Sequence, residues 1–135
     1  LPTMLFKWRA SSTSSSSKSF GEAAEERALQ FLQQHGLRLV ERNYRVAAGP
    51  RARAGEVDLI MHDTEGTLVF VEVRARADAS HGGAAASVGA AKQRRLIYAA
   101  QHFLLKQATP PPCRFDVIAI EGEQIEWLQA AFNAE

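Results

Sequence analysis

The chain carries one cysteine, Cys113, so neither a disulfide framework nor a thiolate zinc site is open to it. No apolar run approaches the ~20 residues that cross a bilayer, which argues against a membrane span. The first ten residues lack the extended apolar segment of a secretory signal, and a cytoplasmic location is the expectation. The four histidines, His35, His62, His81 and His102, show no ligand spacing with one another. An imidazole metal site therefore has no support. From Glu121 onward there is neither lysine nor arginine, although four glutamates fall there. Internal repeats are absent as well.

What is present suits one domain. At 135 residues, 46% hydrophobic and 23% charged, the chain can bury a core without staples. Residues 11–19 comprise seven serines, one threonine and one lysine, a composition that cannot build a core. Residues 1–18 thus read as a Ser-rich N-terminal extension or linker, and 19–135 as the folded domain.

The net charge of +1 conceals an uneven distribution. Residues 37–53 hold Arg38, Arg42, Arg45, Arg51 and Arg53 against Glu41 alone. Residues 74–106 hold Arg74, Arg76, Lys92, Arg94, Arg95 and Lys106 against Asp78 alone. A polyanion-binding face with an acidic back has this pattern. Solvated surface charge produces it equally well.

Ser19-Phe20-Gly21-Glu22 fits a capping box, and the helix it opens runs to about His35, with Gly36 as its stop. Leu37 to Val46 alternates as a strand, with Leu39, Glu41 and Asn43 on one face and Val40, Arg42 and Tyr44 on the other. A second strand covers roughly Glu56 to His62, and Asp63-Thr64-Glu65-Gly66 makes a hairpin turn into a third, Thr67 to Arg76. A Gly/Ala/Ser loop containing His81 precedes a second helix, about Val88 to Gln107, stopped by Pro110-Pro111-Pro112. Arg114 to Ile120 and a short Ile125 to Leu128 complete the order α-β-β-β-α-β-β.

Two of these strands carry acids where apolar residues belong. Asp58 interrupts Gly55-Glu56-Val57-Asp58-Leu59-Ile60, and Glu72 interrupts Val71-Glu72-Val73-Arg74. A buried carboxylate is costly without a compensating cation or strong hydrogen bonds. Glu72 and Arg74 share a face ~7 Å apart, from a rise of about 3.3 Å per residue. If the hairpin register sets Asp58 opposite Glu72, the pair makes a hard, all-oxygen site suited to Mg²⁺ or Mn²⁺. A salt-bridge network with Arg74, Arg42 or Arg45 would explain the same acids.

The ordered set of motifs decides what to expect. Gly-Glu-Val-Asp-Leu-Ile followed by Phe-Val-Glu-Val-Arg-Ala-Arg resembles the D…E-x-K motif of the restriction-endonuclease-like, or PD-(D/E)XK, nuclease superfamily. The wider pattern is similar to the bacterial YraN family, related to archaeal Holliday-junction resolvases. It includes Gly21-Glu22, Glu41-Arg42-Asn43-Tyr44-Arg45, Lys92-Gln93-Arg94-Arg95 and Arg114-Phe115-Asp116-Val117, and spans Ser19 to about Phe132. The resemblance implies a restriction-endonuclease-like α/β domain, a central mixed sheet of four to five strands flanked by two main helices. It implies Asp58 and Glu72 as ligands of Mg²⁺ or Mn²⁺, with the Val73 peptide carbonyl as a further ligand. Glu22 corresponds to an acid that completes the site in resolvase-like members, while a capping role explains it as well. Glu56 is better suited to a salt bridge or a substrate-side contact.

One position departs from the pattern, which has lysine where this chain has Arg74. Arginine stays protonated and cannot act as a base, yet its forked donors can steady the scissile phosphate. Lys92 offers an amine from another direction, or a contact to a nucleic-acid backbone. Lys92, Gln93, Arg94 and Arg95 near a helix start suit phosphate contacts, with Arg42, Arg45, Arg51 and Arg53 flanking the same cleft.

The expected function is a metal-dependent endonuclease acting on DNA, including branched DNA, through shape and charge rather than sequence. Junction resolution needs two active sites acting together, so a homodimer goes with that substrate. The alternative is a nucleic-acid-binding protein that keeps the fold and has lost the reaction. A protein–protein module whose arginines meet an acidic partner is a third reading.

Overall fold

The computed structural model describes residues 19–47, 54–76 and 88–134. The Ser-rich extension, Arg51 and Arg53, and most of the loop around His81 lie outside the described residues. Helix α1 spans Phe20–Gln34 and begins at a capping box. The Glu22 N–H donates to Ser19 Oγ at 3.0 Å, and the Ser19 N–H donates to Glu22 Oε1 at 3.1 Å. These bonds satisfy two of the amides that a helix start leaves without partners. Gly36, at φ +91°, takes the left-handed turn that leads out of the helix.

Strands β1 (Arg38–Val46), β2 (Gly55–His62), β3 (Leu68–Arg76), β4 (Cys113–Glu121) and β5 (Gln124–Phe132) form one sheet in the order β1-β2-β3-β4-β5. All neighbours are antiparallel except β3 and β4. A parallel pair needs a crossover, and helix α2 (Ala90–Leu104) supplies it. The chain is therefore an α/β domain with a five-stranded mixed sheet and two helices, in the order expected from the sequence.

Each helix covers one face. Ala24, Ala28 and Leu32 of α1 pack on Leu59, Met61, Val69, Val71, Ile118 and Ile120. Leu96, Ala99 and Phe103 of α2 pack on Val57, Ile60, Leu68, Phe70 and Phe115. Gly55 lets α2 lie close against β2: a Cβ there would fall 2.8 Å from the Ala99 N and 2.9 Å from the Arg95 O. Among the described residues no helix is long and apolar enough to cross a membrane.

Two local features differ from the sequence expectation. Strand β5 extends to Phe132 instead of ending at Leu128, because the fully buried Asp116 ties it down. Asp116 accepts hydrogen bonds from the Trp127 Nε1–H and the Ala130 N–H, both at 2.9 Å, and from the Arg114 guanidinium. Simple alternation in β1 also fails. Arg42 pairs with Glu26 of α1 at 3.1 Å, whereas Tyr44 packs against Phe103 of α2. Asn43 between them has φ +50°, a left-handed conformation that turns the strand over.

Candidate active site

The ladder between β2 and β3 runs from His62↔Leu68 to Leu59↔Val71. One further step in that register sets Asp58 opposite Glu72, but the backbone pairing is not continued there. Instead the Val73 N–H donates to Asp58 Oδ2 at 2.8 Å. The N–H and C=O of one strand residue project to the same side, so the Val73 carbonyl also faces the gap beside Asp58. Where the two strands part, a side-chain carboxylate replaces the missing backbone partner.

Both acids are buried, Asp58 at 7% and Glu72 at 3% exposure, and they lie close enough for the Asp58 charge to act on Glu72. Glu25 approaches them from α1, close enough to feel the charge of Asp58. All three carboxyls hold their protons above the ordinary range. Burial, then the charge of Asp58, pushes Glu72 up to about 8. Burial raises Asp58 despite the Val73 N–H and the nearby Lys92 charge. Burial and the Asp58 charge raise Glu25, partly offset by the neighbouring Asn43 and the Arg42 charge. Such a cluster lacks positive charge at its centre.

Two cations approach it from the α2 side. The Lys92 Nζ is 3.6 Å from Glu72 Oε2, and the Arg74 Nη1 is 3.9 Å from the same oxygen. Both distances exceed a good hydrogen bond but are close enough for strong attraction where solvent is scarce.

The donor chemistry fits a hard divalent cation: carboxylate oxygens from Asp58, Glu72 and Glu25, and a peptide carbonyl at Val73. Among the described residues no three His, Cys, Asp or Glu side chains form a ready metal cage. Mg²⁺ does not require one, since it is commonly held by one or two carboxylates together with water and phosphate oxygens.

The remaining sequence candidates are distributed as follows. Glu22 is exposed and its carboxylate serves the capping box; Glu25, three residues on, is the α1 acid that reaches Asp58. Arg42 is paired with Glu26, and Arg45 with Glu56 at 3.6 Å. Gln93 Nε2 donates to the Val88 carbonyl at 3.0 Å. Arg94 and Arg95 are exposed on the first turns of α2. The sequence does hold a signal for Glu25: it lies beside Ala24 and Ala28 on the apolar stripe of α1, where an acid is out of place.

Comparison with known proteins gives a consistent family. The model of the uncharacterised protein family UPF0102 matches residues 24–120. A UPF0102 protein of Methylibium petroleiphilum is 63% identical over 117 residues, covering 87% of this chain and 96% of its own. One from Albidiferax ferrireducens is 61% identical over 118 residues, covering 87% and 90%. A third, from Paracidovorax citrulli, is 58% identical over 114 residues, covering 84% and 82%. No solved structure matches the chain.

Proposed function

We propose that this chain, which belongs to the uncharacterised protein family UPF0102, is a Mg²⁺- or Mn²⁺-dependent nuclease that hydrolyses DNA phosphodiester bonds. The observation that carries the reading is the crowding of Asp58, Glu72 and Glu25 where β2 and β3 part, with Lys92 and Arg74 beside them. Three carboxyls with raised proton affinities have a poor environment as a salt-bridge network and a good one as cation ligands. The strand motif's resemblance to the PD-(D/E)XK nucleases supports the same reading.

In this proposal Asp58, Glu72 and the Val73 carbonyl hold the ion, and Glu25 completes the set from α1. A bound divalent ion would supply an activated water and neutralise charge on the phosphate. Arg74 directs its forked donors at the scissile phosphate. Lys92 contributes a second positive charge that stabilises the pentacovalent phosphorus as negative charge accumulates. Arg94 and Arg95, exposed on the same helix, take neighbouring backbone phosphates, which gives affinity without base readout. Four-way junctions would need two such sites, and hence a homodimer.

Incubation with Mn²⁺ and a panel of linear, nicked and four-way-junction DNA is the direct test, with Asp58→Ala as control. Equal products from the two proteins, or none from either, would sink the nuclease reading. A second reading rests on Arg74 in the place of the pattern's lysine: a DNA-binding protein that has lost the reaction. It predicts salt-sensitive binding that survives Glu72→Ala, and no products even from Arg74→Lys.

A further inference from the structure

Four side chains line one flank of α2 and of the turn that follows it. Arg95, His102 and Lys106 lie three, ten and fourteen positions after Lys92. At about 100° per residue those offsets bring all four within about 80° of one another around the helix axis. Arg95, His102 and Lys106 are exposed, whereas Leu96, Ala99, Ala100 and Phe103, which face the sheet, are buried. Residues 90–107 contain no Asp or Glu to offset the charge.

Contacts fix both ends of the flank. At one end the Lys92 Nζ is 3.6 Å from Glu72 Oε2, which puts it at the candidate active site. At the other the Lys106 Nζ stands 4.7 Å from the centre of the Tyr44 ring, and the Tyr44 hydroxyl is 2.6 Å from His102 Nδ1. A neutral imidazole that accepts the tyrosine proton at Nδ1 carries its own at Nε2 and can donate it. A rise of about 1.5 Å per residue separates the two ends by about 20 Å, the length of about six base pairs at about 3.4 Å each. The opposite direction is unfavourable for a polyanion. Arg74 pairs across the sheet with Ala119, and Ala119 with Glu126, so the exposed Glu126 shares the face of Arg74 about 10 Å away.

We propose that this flank is a phosphate track for a duplex DNA arm, which leads away from the site along α2 towards Tyr44. The proposal rests on the nuclease reading for its polyanion and adds the direction and length of the substrate. A straight row of cations suits a stiff duplex, whose persistence length is about 150 base pairs, better than a flexible single strand. Single-strand sites also need aromatic faces on which bases stack, and the Tyr44 ring is buried at 5% exposure with Lys106 over it. Contacts of this kind read no bases; they set which side of the scissile bond must be double-stranded.

Binding of the full chain to a linear duplex in EDTA, followed by fluorescence anisotropy across a salt series, tests the track without any metal. Each cation that neutralises a phosphate adds about one to the slope of log affinity against log salt. Lys106→Ala and Arg95→Ala should each reduce that slope by about one, and the double variant by about two. Arg27→Ala, on α1 with its guanidinium on the Gly122 carbonyl, should leave it unchanged. Single-stranded DNA of the same length should bind more weakly than the duplex. No duplex binding at low salt, an unchanged slope in Lys106→Ala, an equal loss in Arg27→Ala, or stronger binding of the single strand would overturn the track. Mn²⁺-dependent cleavage alongside any of these would leave the nuclease reading standing without it. The expected slope losses with no cleavage would overturn the nuclease and keep the track.

Discussion

Lys92 lies nearer to Glu72 than Arg74 does, 3.6 Å against 3.9 Å, although Arg74 is two residues away on the same strand and Lys92 is on another element. Helix α2 thus brings an amine to the side of the site where the strand motif has a guanidinium. Lysine and arginine differ as phosphate partners: one is a compact charge on a flexible stem, the other a planar fork. Under the proposed nuclease reading, one of them orients the phosphate and the other meets charge as it develops.

Lys92→Ala should lower single-turnover cleavage of DNA by about a hundredfold or more at saturating Mn²⁺, in keeping with the loss of one preorganised charge contact. Equilibrium binding to the same DNA should change far less, because Arg94, Arg95 and Arg74 remain. Equal losses in binding and cleavage would assign Lys92 to backbone binding alone.

The raised proton affinity of Glu72 makes metal-free stability depend on pH. Its carboxyl titrates at about 8 when folded and near 4.5 when free. A proton bound more tightly by the folded state stabilises it fully below 4.5, and that contribution is lost as pH rises towards 8. Asp58 and Glu25, also raised, act in the same direction. The metal-free melting temperature should therefore fall between pH 5 and pH 8, and Glu72→Gln should flatten the slope. Mn²⁺ should stabilise most at the upper end of that window, where it competes with fewer protons. A profile that rises with pH would contradict the burial of Glu72 as the dominant influence.

Gly55→Ala tests how closely α2 must lie. The added methyl would meet the backbone of Ala99 and Arg95 at under 3.0 Å, and neither atom is a flexible side-chain end. Overpacking of this kind costs about 1–3 kcal/mol, visible as a lower urea midpoint. Because Lys92 lies on the same helix, within two turns of those contacts, displacement of α2 should also reduce cleavage. Loss of stability with full activity would show that α2 has slack around Lys92.

The sequence makes the elements and both strand acids legible, because capping, hairpin chemistry and apolar strands are local properties. The same local pattern leaves Glu22 open between a cap and the α1 acid of the site, and in the structure its carboxylate accepts the Ser19 N–H of the capping box. The approach of Glu25 to Asp58 depends on where α1 docks on the sheet, and an acid on an apolar stripe shows that only as an anomaly. The reversal at Asn43 is hidden because a period of two assumes extended backbone at every residue, and a left-handed residue in mid-strand breaks that assumption. The true length of β5 is set by Asp116, which reaches Trp127 and Ala130 across the sheet. Contacts between distant parts of the chain leave little trace in local pattern.

Asp116 offers a control that separates fold from site. It is fully buried, bonded to the Arg114 Nε–H at 2.9 Å, and Arg114 in turn reaches Asp63 Oδ2 at 3.1 Å. On removal of the Asp116 carboxylate Arg114 keeps Asp63, but the Trp127 Nε1–H and Ala130 N–H lose their buried acceptor, a cost of about 1–3 kcal/mol for each donor left unsatisfied. Asp116→Ala should therefore lower the urea midpoint steeply and loosen β5. Asp116→Asn, which keeps an acceptor oxygen, should cost less. In whatever fraction remains folded, Mn²⁺ affinity should match the unsubstituted chain, because Asp116 bonds to Arg114, Trp127 and Ala130 rather than to Asp58 or Glu72. A selective loss of Mn²⁺ binding in Asp116→Asn at full stability would instead tie the β4–β5 end of the sheet to the site.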